Sequence, residues 1–237
     1  SVPTRKRLPE RFRILTPLGE RTVPRLAFAP ELRADTPDDA LWPPAKFGGP
    51  PDWRQAHAWP LTDTGRPMVM VAQLPLDAEN LRTAYVFLNL SWDAHTFDPS
   101  SGDSRVIVQS GPAGPRPAAG RGATGPVLHT TVHEMRFRRR NRGLPYERWA
   151  ALEPGRDPTK WEWPPMDPDA HYRDDHGDWA KIGGTPRWLQ GDNAPEGEWR
   201  FAFQFSAGWA GRELGDGAEC YGFVGDDDRG LFLWQCH

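Results

Sequence analysis

The stretch KIGGTPRWLQGD, Lys181 to Asp192, decides the fold, because an imperfect copy of it, KFGGPPDWRQ, stands at Lys46 to Gln55. Six of the ten aligned positions are identical in the two windows. They are a lysine, two glycines, a proline, a tryptophan and a glutamine. A chain rich in Gly and Pro can repeat these letters by chance, so the segments that follow each window decide whether the repeat is structural.

The same order of apolar runs follows both windows. MVMVAQL (68–74) corresponds to FAFQF (201–205), which places Gln73 and Gln204 at equivalent positions. Two further pairs of runs are AYVFLNL (84–90) with CYGFV (220–224), and RVIVQS (105–110) with LFLWQC (231–236). We therefore predict one duplicated domain over residues 1–237, with repeat 1 at about 40–110, a Gly/Pro/Ala linker loop at 111–126 and repeat 2 at about 178–237.

The repeated windows have the composition of sharp turns beside strands. Paired glycines permit positive φ or close backbone approach, and proline fixes its own φ and extends the residue before it. We assign a structural turn motif to Lys46, Gly48, Gly49, Pro51, Lys181, Gly183, Gly184 and Pro186.

Four residues of the repeats are candidate binding residues: Trp53, Gln73, Trp188 and Gln204. The tryptophans fit two interpretations. They bury their rings over a core and satisfy the indole N–H, or they form an exposed recognition surface. The glutamines either bond neighbouring backbone or face a ligand.

The second repeat resembles the YwqG-like family of uncharacterised bacterial proteins. The residues that carry the resemblance are the GG-x-P-x-W-x-Q-x-D turn, the Gln-bearing strand, GDGAECYGF and LFLWQC. KFGGPPDW followed by MVMVAQL is similar to the N-terminal half of that family. More distantly, the Gly-Gly-x-Pro-x-Trp turns resemble the programmed cell death protein 2 family, whose members are chaperones or adaptors for a ribosomal protein. The resemblance implies an all-β duplicated fold and no particular chemistry, and the zinc-type cysteine clusters of the eukaryotic proteins are absent from this sequence.

The composition predicts a mainly β protein. Hydrophobic residues make up 38% of the chain, while 24 Gly and 26 Pro favour short strands and many turns. We expect an internally duplicated antiparallel β-sheet or barrel-like architecture with a few short helices and long Gly/Pro-rich loops. The best helix candidate is LPYERWAALEPG (144–155), and Asp226 to Asp228 predict a hairpin turn.

No apolar stretch is long enough for a membrane span and no signal peptide is predicted, so we expect a cytoplasmic protein. Cys220 and Cys236 are too few for a disulfide framework. Both lie in predicted strands of the second repeat, where they are either neighbours across a ladder or, as we expect, buried free thiols that act as small hydrophobic residues.

The sequence contains incomplete metal-binding patterns and no nucleic-acid-binding motif. His129 and His133 precede Glu134 in the wrong order for a zincin, and the acidic His/Asp loop 167–178 lacks the spacing of an EF-hand, which leaves cation binding there open. The charge is distributed unevenly along the chain, with a net charge of +6 over residues 1–142 and −9 over residues 143–237. The basic run 136–142 has no accompanying nucleic-acid motif. A pI near 6.2 also argues against a nucleic-acid partner.

No catalytic residue, metal ligand or cofactor is assigned. The leading hypothesis is a non-catalytic protein-interaction module, such as an adaptor, a client-binding chaperone or a toxin-immunity-type protein, whose partner is another protein. The alternative is an enzyme with a site in the cleft between repeats, drawing on Gln73, Gln204, His57, His133 and Glu134. A third hypothesis is a small-ligand-binding protein that stacks its ligand on Trp53 or Trp188.

Overall fold

The computed structural model describes residues 22–28, 42–77, 81–111, 124–129, 145–157, 180–211 and 214–236. For residues 22–28 and 153–156 the description covers the backbone. Within these ranges the chain forms strands and one turn of 3-10 helix, Ala207–Ala210. No helix of the described residues is long and apolar enough to cross a membrane.

The strands follow the apolar runs of the two repeats. In chain order they are β1 (Thr22–Phe28), β2 (Ala45–Gly48), β3 (Val69–Pro75), β4 (Arg82–Leu88), β5 (Ser104–Ser110), β6 (Glu147–Arg156), β7 (Ala180–Ile182), β8 (Arg200–Ser206), β9 (Glu219–Val224) and β10 (Arg229–Gln235).

The pairing order is a ring, β1-β6-β2-β3-β4-β5-β10-β9-β8-β7, and all pairs are antiparallel. The ring maps onto itself when β2–β5 are exchanged with β7–β10 and β6 with β1. Two junctions are short: β7 meets β1 at one paired position, Arg25 with Lys181, and β10 meets β5 at two. The predicted mainly β, barrel-like class is confirmed.

The barrel has one interior core and two smaller cores outside it. Along β4, alternate residues Ala84, Val86 and Leu88 belong to the interior core, while Tyr85 and Phe87 belong to an outer one, as the two-residue period of a strand requires. The second outer core packs in the same way over β9 and β10. The two outer cores lie beside the glycine turns of the two repeats.

Strands β3 and β8 carry a register shift at the same place. It falls between Met70 and Ala72 in β3, and between Phe201 and Phe203 in β8. Next to the shift, Ala72 pairs with Val86. In the second half, Phe203 pairs with Gly222, and a Cβ at Gly222 would overlap the Phe203 ring. At this pair of positions the larger side chain is therefore Val86 of β4 in the first half and Phe203 of β8 in the second half.

The helix predicted at 144–155 is wrong, because Glu147–Arg156 is strand β6. Its residues pair on one side with β2 and on the other with β1, and these two ladders outweigh the local helix propensity of the alanine-rich segment. The predicted hairpin turn at Asp226 to Asp228 is confirmed between β9 and β10. Three predicted segments lie outside the described residues: positions 112–123 of the linker loop 111–126, the basic run 136–142 and the acidic loop 167–178.

Candidate functional site

Each glycine pair ends a strand and starts an irregular segment that we call a strap, the first at residues 49–55 and the second at 184–190. The four glycines have positive φ, a region that L side chains rarely adopt. Gly48 also approaches its neighbour closely, since a Cβ there would overlap the carbonyl oxygen of Tyr146. The φ values are 72° for Gly48, 68° for Gly49, 67° for Gly183 and 82° for Gly184. Pro51 and Pro186 occupy the same position in the two straps and are half-buried.

Gln73 and Gln204 hold the straps to β3 and β8. The Oε1 atom of Gln73 accepts the N–H of Asp52 at 2.7 Å, and the Oε1 of Gln204 accepts the N–H of Arg187 at 2.9 Å. Their amide nitrogens donate to backbone carbonyls, of Pro44 at 2.7 Å and of Arg187 at 2.9 Å. Both side chains are fully buried. Each amide nitrogen also donates to a carboxylate, of Asp52 at 3.2 Å and of Glu219 at 3.1 Å. The donors and the acceptor of each amide are therefore used by the protein's own groups.

Two tyrosine hydroxyls hold the straps to the next strands, β4 and β9. Each hydroxyl donates to one strap carbonyl and accepts one strap N–H. The partners are Asp52 and Arg54 for Tyr85, and Arg187 and Leu189 for Tyr221, at 2.9 to 3.0 Å. Burial raises the pKa of both tyrosines above the ordinary value.

A second pair of glutamines, Gln109 in β5 and Gln235 in β10, completes the set. Each Oε1 accepts two consecutive strap N–H groups, at 2.9 to 3.1 Å. The donors are Arg54 and Gln55 in the first strap, and Leu189 and Gln190 in the second. Each strap thus crosses three strands and is bonded to all of them by equivalent residues.

The two tryptophans occupy equivalent places over the outer cores. Trp53 is buried against Tyr85 and Phe87, with ring centroids 4.6 and 5.7 Å away. Trp188 is half-buried, 4.7 Å from the ring of Tyr221. The expectation that the indole N–H is satisfied is wrong for Trp53, whose Nε1 is buried and finds no hydrogen-bond partner in the described part of the chain. Their faces pack on the protein's own aromatic rings.

Lys46 is buried at the start of the first glycine turn. Its Nζ lies 2.7 Å from Oδ2 of Asp52 and 3.0 Å from Oε1 of Glu147, and 4.8 Å from the centre of the Trp149 ring. A buried ammonium needs such partners because its desolvation is costly. Lys46 therefore ties the first strap to β6.

Lys181 is the equivalent residue in the second half and has a different carboxylate partner. Arg187 stands where the first strap has Asp52, so the strap itself offers no carboxylate. The ion pair is instead made with buried Asp157, at 2.5 Å, and Lys181 also donates to the carbonyl of Thr185. Burial lowers the pKa of Lys181. Asp157 also accepts the N–H of Thr185 at 2.9 Å, so it anchors the strap from the end of β6.

Glu219 is a further buried charge of the second half. Its carboxylate accepts the hydroxyl of Ser206 at 2.7 Å and the amide of Gln204 at 3.1 Å, and lies 4.0 Å from the guanidinium of Arg187. Repeat 1 has neutral Thr83 at this position. The acidic residue compensates the positive charge that Arg187 brings into the strap.

The residues of the enzyme hypothesis do not meet in the described structure. Gln73 and Gln204 lie under separate straps, His57 is exposed and stacks on Trp53 at 5.1 Å, and His133 and Glu134 lie outside the described residues. Among the described residues no group of three or more His, Cys, Asp or Glu is placed to hold a metal ion.

The two cysteines, Cys220 and Cys236, are free thiols, as predicted. The prediction that both are buried in strands is wrong for Cys236, which is half-buried and follows the end of β10 at Gln235. Cys220 is buried in β9, and burial raises its pKa well above the ordinary value, which keeps the thiol protonated and unreactive.

The connection between β4 and β5, which we call the Trp92 loop (residues 89–103), exposes large apolar side chains. Trp92 is 93% exposed and Phe97 52% exposed. The equivalent connection in the second half is the short turn 225–228. Leu61, 49% exposed, lies on the neighbouring loop 60–67.

Hydrogen bonds within the Trp92 loop fix its shape. The carboxylate of Asp103 accepts the amide of Asn89 at 2.7 Å and the N–H of His95 at 2.9 Å. The hydroxyl of Thr96 accepts the indole N–H of Trp234 in β10 at 3.0 Å. The loop is therefore attached to both halves of the barrel.

Two ion pairs connect the Trp92 loop and the start of β5 to loop 60–67. Arg66 lies 3.7 Å from Asp93, and Arg105 lies 2.9 Å from Asp63. Three of the five exposed large hydrophobic residues of the described chain thus lie on two linked loops. The sequence reasoning missed Trp92, and the signal that could have found it is the unequal length of the equivalent β4–β5 and β9–β10 connections.

Comparison with known proteins gives a match to a family model over part of the chain. Residues 45–86, which include β2, the first strap, β3 and most of β4, match the model of a domain of unknown function (DUF1963). No curated protein matches the chain.

Proposed function

We propose that the protein is a non-catalytic protein-interaction module: a rigid β scaffold that acts as an adaptor, a client-binding chaperone or a toxin-immunity-type protein. The observation that carries the proposal is the concentration of exposed apolar side chains on the Trp92 loop and loop 60–67. Exposed apolar residues that cluster at one place are typical of protein contact sites.

The state of the polar residues supports the same proposal. The glutamines and tyrosines of the repeats bond the straps, and the buried lysines bond carboxylates that the chain itself supplies. In this arrangement Gln73, Gln204, Trp53 and Trp188 act on a partner through the scaffold that they hold, and not by contact with it.

We also propose that the match at residues 45–86 extends to the YwqG-like family in both repeats, on the turn and strand motifs quoted above. The adaptor and chaperone activities of the programmed cell death protein 2 family agree with this proposal through a more distant resemblance. A cytoplasmic location stays a prediction from the sequence.

The test is an affinity purification of the tagged full chain from its source organism, with co-purifying proteins identified and quantified by mass spectrometry. We expect one protein at near-stoichiometric amount, and a complex of the summed mass when the two purified proteins are mixed. A partnerless chain in both experiments would refute the proposal and would direct attention to metabolite and metal screens.

A further inference from the structure

We propose, on the basis of the interaction function above, that the Trp92 loop is the docking surface and that its partner is a protein offering an apolar pocket bordered by Lys or Arg. The first step of the argument is the comparison of the two halves. The second half connects its equivalent strands through residues 225–228, so the scaffold does not need the longer connection 89–103. A long, ordered loop that the fold does not require is a typical place for function.

The second step is the state of Trp92 itself. Tryptophan side chains are largely buried on average, but the indole of Trp92 is 93% exposed and so contributes little to the free energy of folding. The loop beneath it is held by Asn89, Asp103 and Thr96, so the side chain is presented from a fixed backbone. Tryptophans on ordered surfaces are the residues most enriched among binding hot spots, and a fixed loop lowers the entropy lost on binding.

The third step is charge. The Trp92 loop, loop 60–67 and residues 104–105 carry four aspartates against two arginines, a formal net charge of −2. Both arginines are paired with aspartates. Hydrogen bonds from serine side chains lower the pKa of Asp93 and Asp98, so both carboxylates are ionised at neutral pH. Charge complementarity therefore calls for a basic border on the partner.

A protein fits this surface better than a glycan or a membrane. A glycan needs polar groups to bond its hydroxyls, but Asn89, Asp98 and Asp103 already bond groups of the loop. A membrane with anionic headgroups is repelled by the net negative charge. An apolar pocket with a basic border accepts the indole and the carboxylates together.

The test is site-specific photo-cross-linking with the photoreactive residue p-benzoylphenylalanine in the full chain, in an extract of the source organism. One variant carries it at position 92, and the matched control carries it at exposed Asn193 in the loop that follows the second strap. We expect a cross-linked protein from position 92 and none from position 193, with the linked peptide containing apolar residues flanked by Lys or Arg.

The outcomes separate this inference from the proposed function. A partner that cross-links from position 193 and not from 92 would overturn the docking surface and leave the interaction function standing. Cross-links from position 92 to a second copy, or to a segment of the same chain, would overturn the partner assignment. Absence of any protein cross-link from both positions, with no co-purifying protein, would overturn both.

A variant series measures the strength of the contact once the partner is purified. Trp92→Ala should weaken binding about 30-fold or more and Trp92→Phe less, as for hot-spot truncations, with the unfolding midpoint unchanged because the side chain is exposed. The association rate should fall with added salt. Unchanged affinity of Trp92→Ala, or salt-independent association, would contradict the proposal.

Discussion

The matched substitutions Gln73→Leu and Gln204→Leu test whether the two straps are held in the same way. Leucine has a similar volume to glutamine but cannot form hydrogen bonds. Each substitution removes the acceptor of a strap N–H and the donors to one backbone carbonyl and one carboxylate. Each backbone group left without a partner costs about 1–3 kcal/mol, and water reaches some of them, so we expect each variant to lose about 3 kcal/mol of unfolding free energy.

The assay is urea unfolding followed by tryptophan fluorescence, together with thermal unfolding. For a chain of this length about 3 kcal/mol corresponds to a fall in the unfolding midpoint of about 6–12 °C. The controls are Gln55→Leu and Gln190→Leu, which place the same substitution at exposed positions of the same straps and should change stability by about 1 kcal/mol or less.

The two core effects should be equal in size and additive in the double variant, because the two glutamines share no hydrogen-bond partner. A loss at Gln73 no larger than at Gln55, or a loss at one repeat and not at the other, would refute the claim that the straps are equivalent.

Three further predictions concern the same scaffold. Gly222→Val should lower the unfolding free energy measured with denaturant by about 1–3 kcal/mol, because the new side chain overlaps Phe203. Phe203→Ala in the same chain should recover part of that loss, since it recreates the Ala72–Val86 pair of repeat 1. No recovery would contradict the claim that the two pairs occupy equivalent positions. Asp157→Leu should lower the unfolding free energy by about 3–5 kcal/mol, because it leaves the Lys181 ammonium buried without its carboxylate. Adding Lys181→Met should reduce the loss. An equal or larger loss in the double variant would contradict the ion pair between Asp157 and Lys181. Burial raises the pKa of Tyr221 in the folded state, so its contribution to stability is present below about pH 10 and is lost as the pH rises further. Tyr221→Phe should therefore flatten the fall in unfolding free energy measured between about pH 9.5 and 11.5. An unchanged slope would contradict the prediction.

The strands could be predicted from the sequence because their apolar runs are bounded by turn residues. MVMVAQL and FAFQF, for example, became β3 and β8 within one or two residues at each end. Segment 144–155 could not be predicted locally, since its strand state depends on pairing with β1 and β2, which are distant in sequence. The ring order likewise depends on the short junctions of β1 with β7 and β5 with β10.

In the candidate site, the sequence identifies repeated residues but not the groups that they contact. The repeated letters identify Gln73 and Gln204, but only the fold shows that their amides are used by the straps. Asp157 is the buried partner of Lys181, and nothing in its neighbourhood in the sequence marks it for that role. Trp92 has no repeated counterpart, so a search for repeats passes over the most exposed large hydrophobic side chain of the described residues.

The most direct test of the central claim is a quantitative affinity purification that compares the wild-type chain with Trp92→Ala at equal loading, with thermal unfolding run on both. We predict that the wild type retains a stoichiometric protein partner and that Trp92→Ala loses most of it with an unchanged unfolding midpoint. Equal retention of the partner by the two proteins would contradict the account.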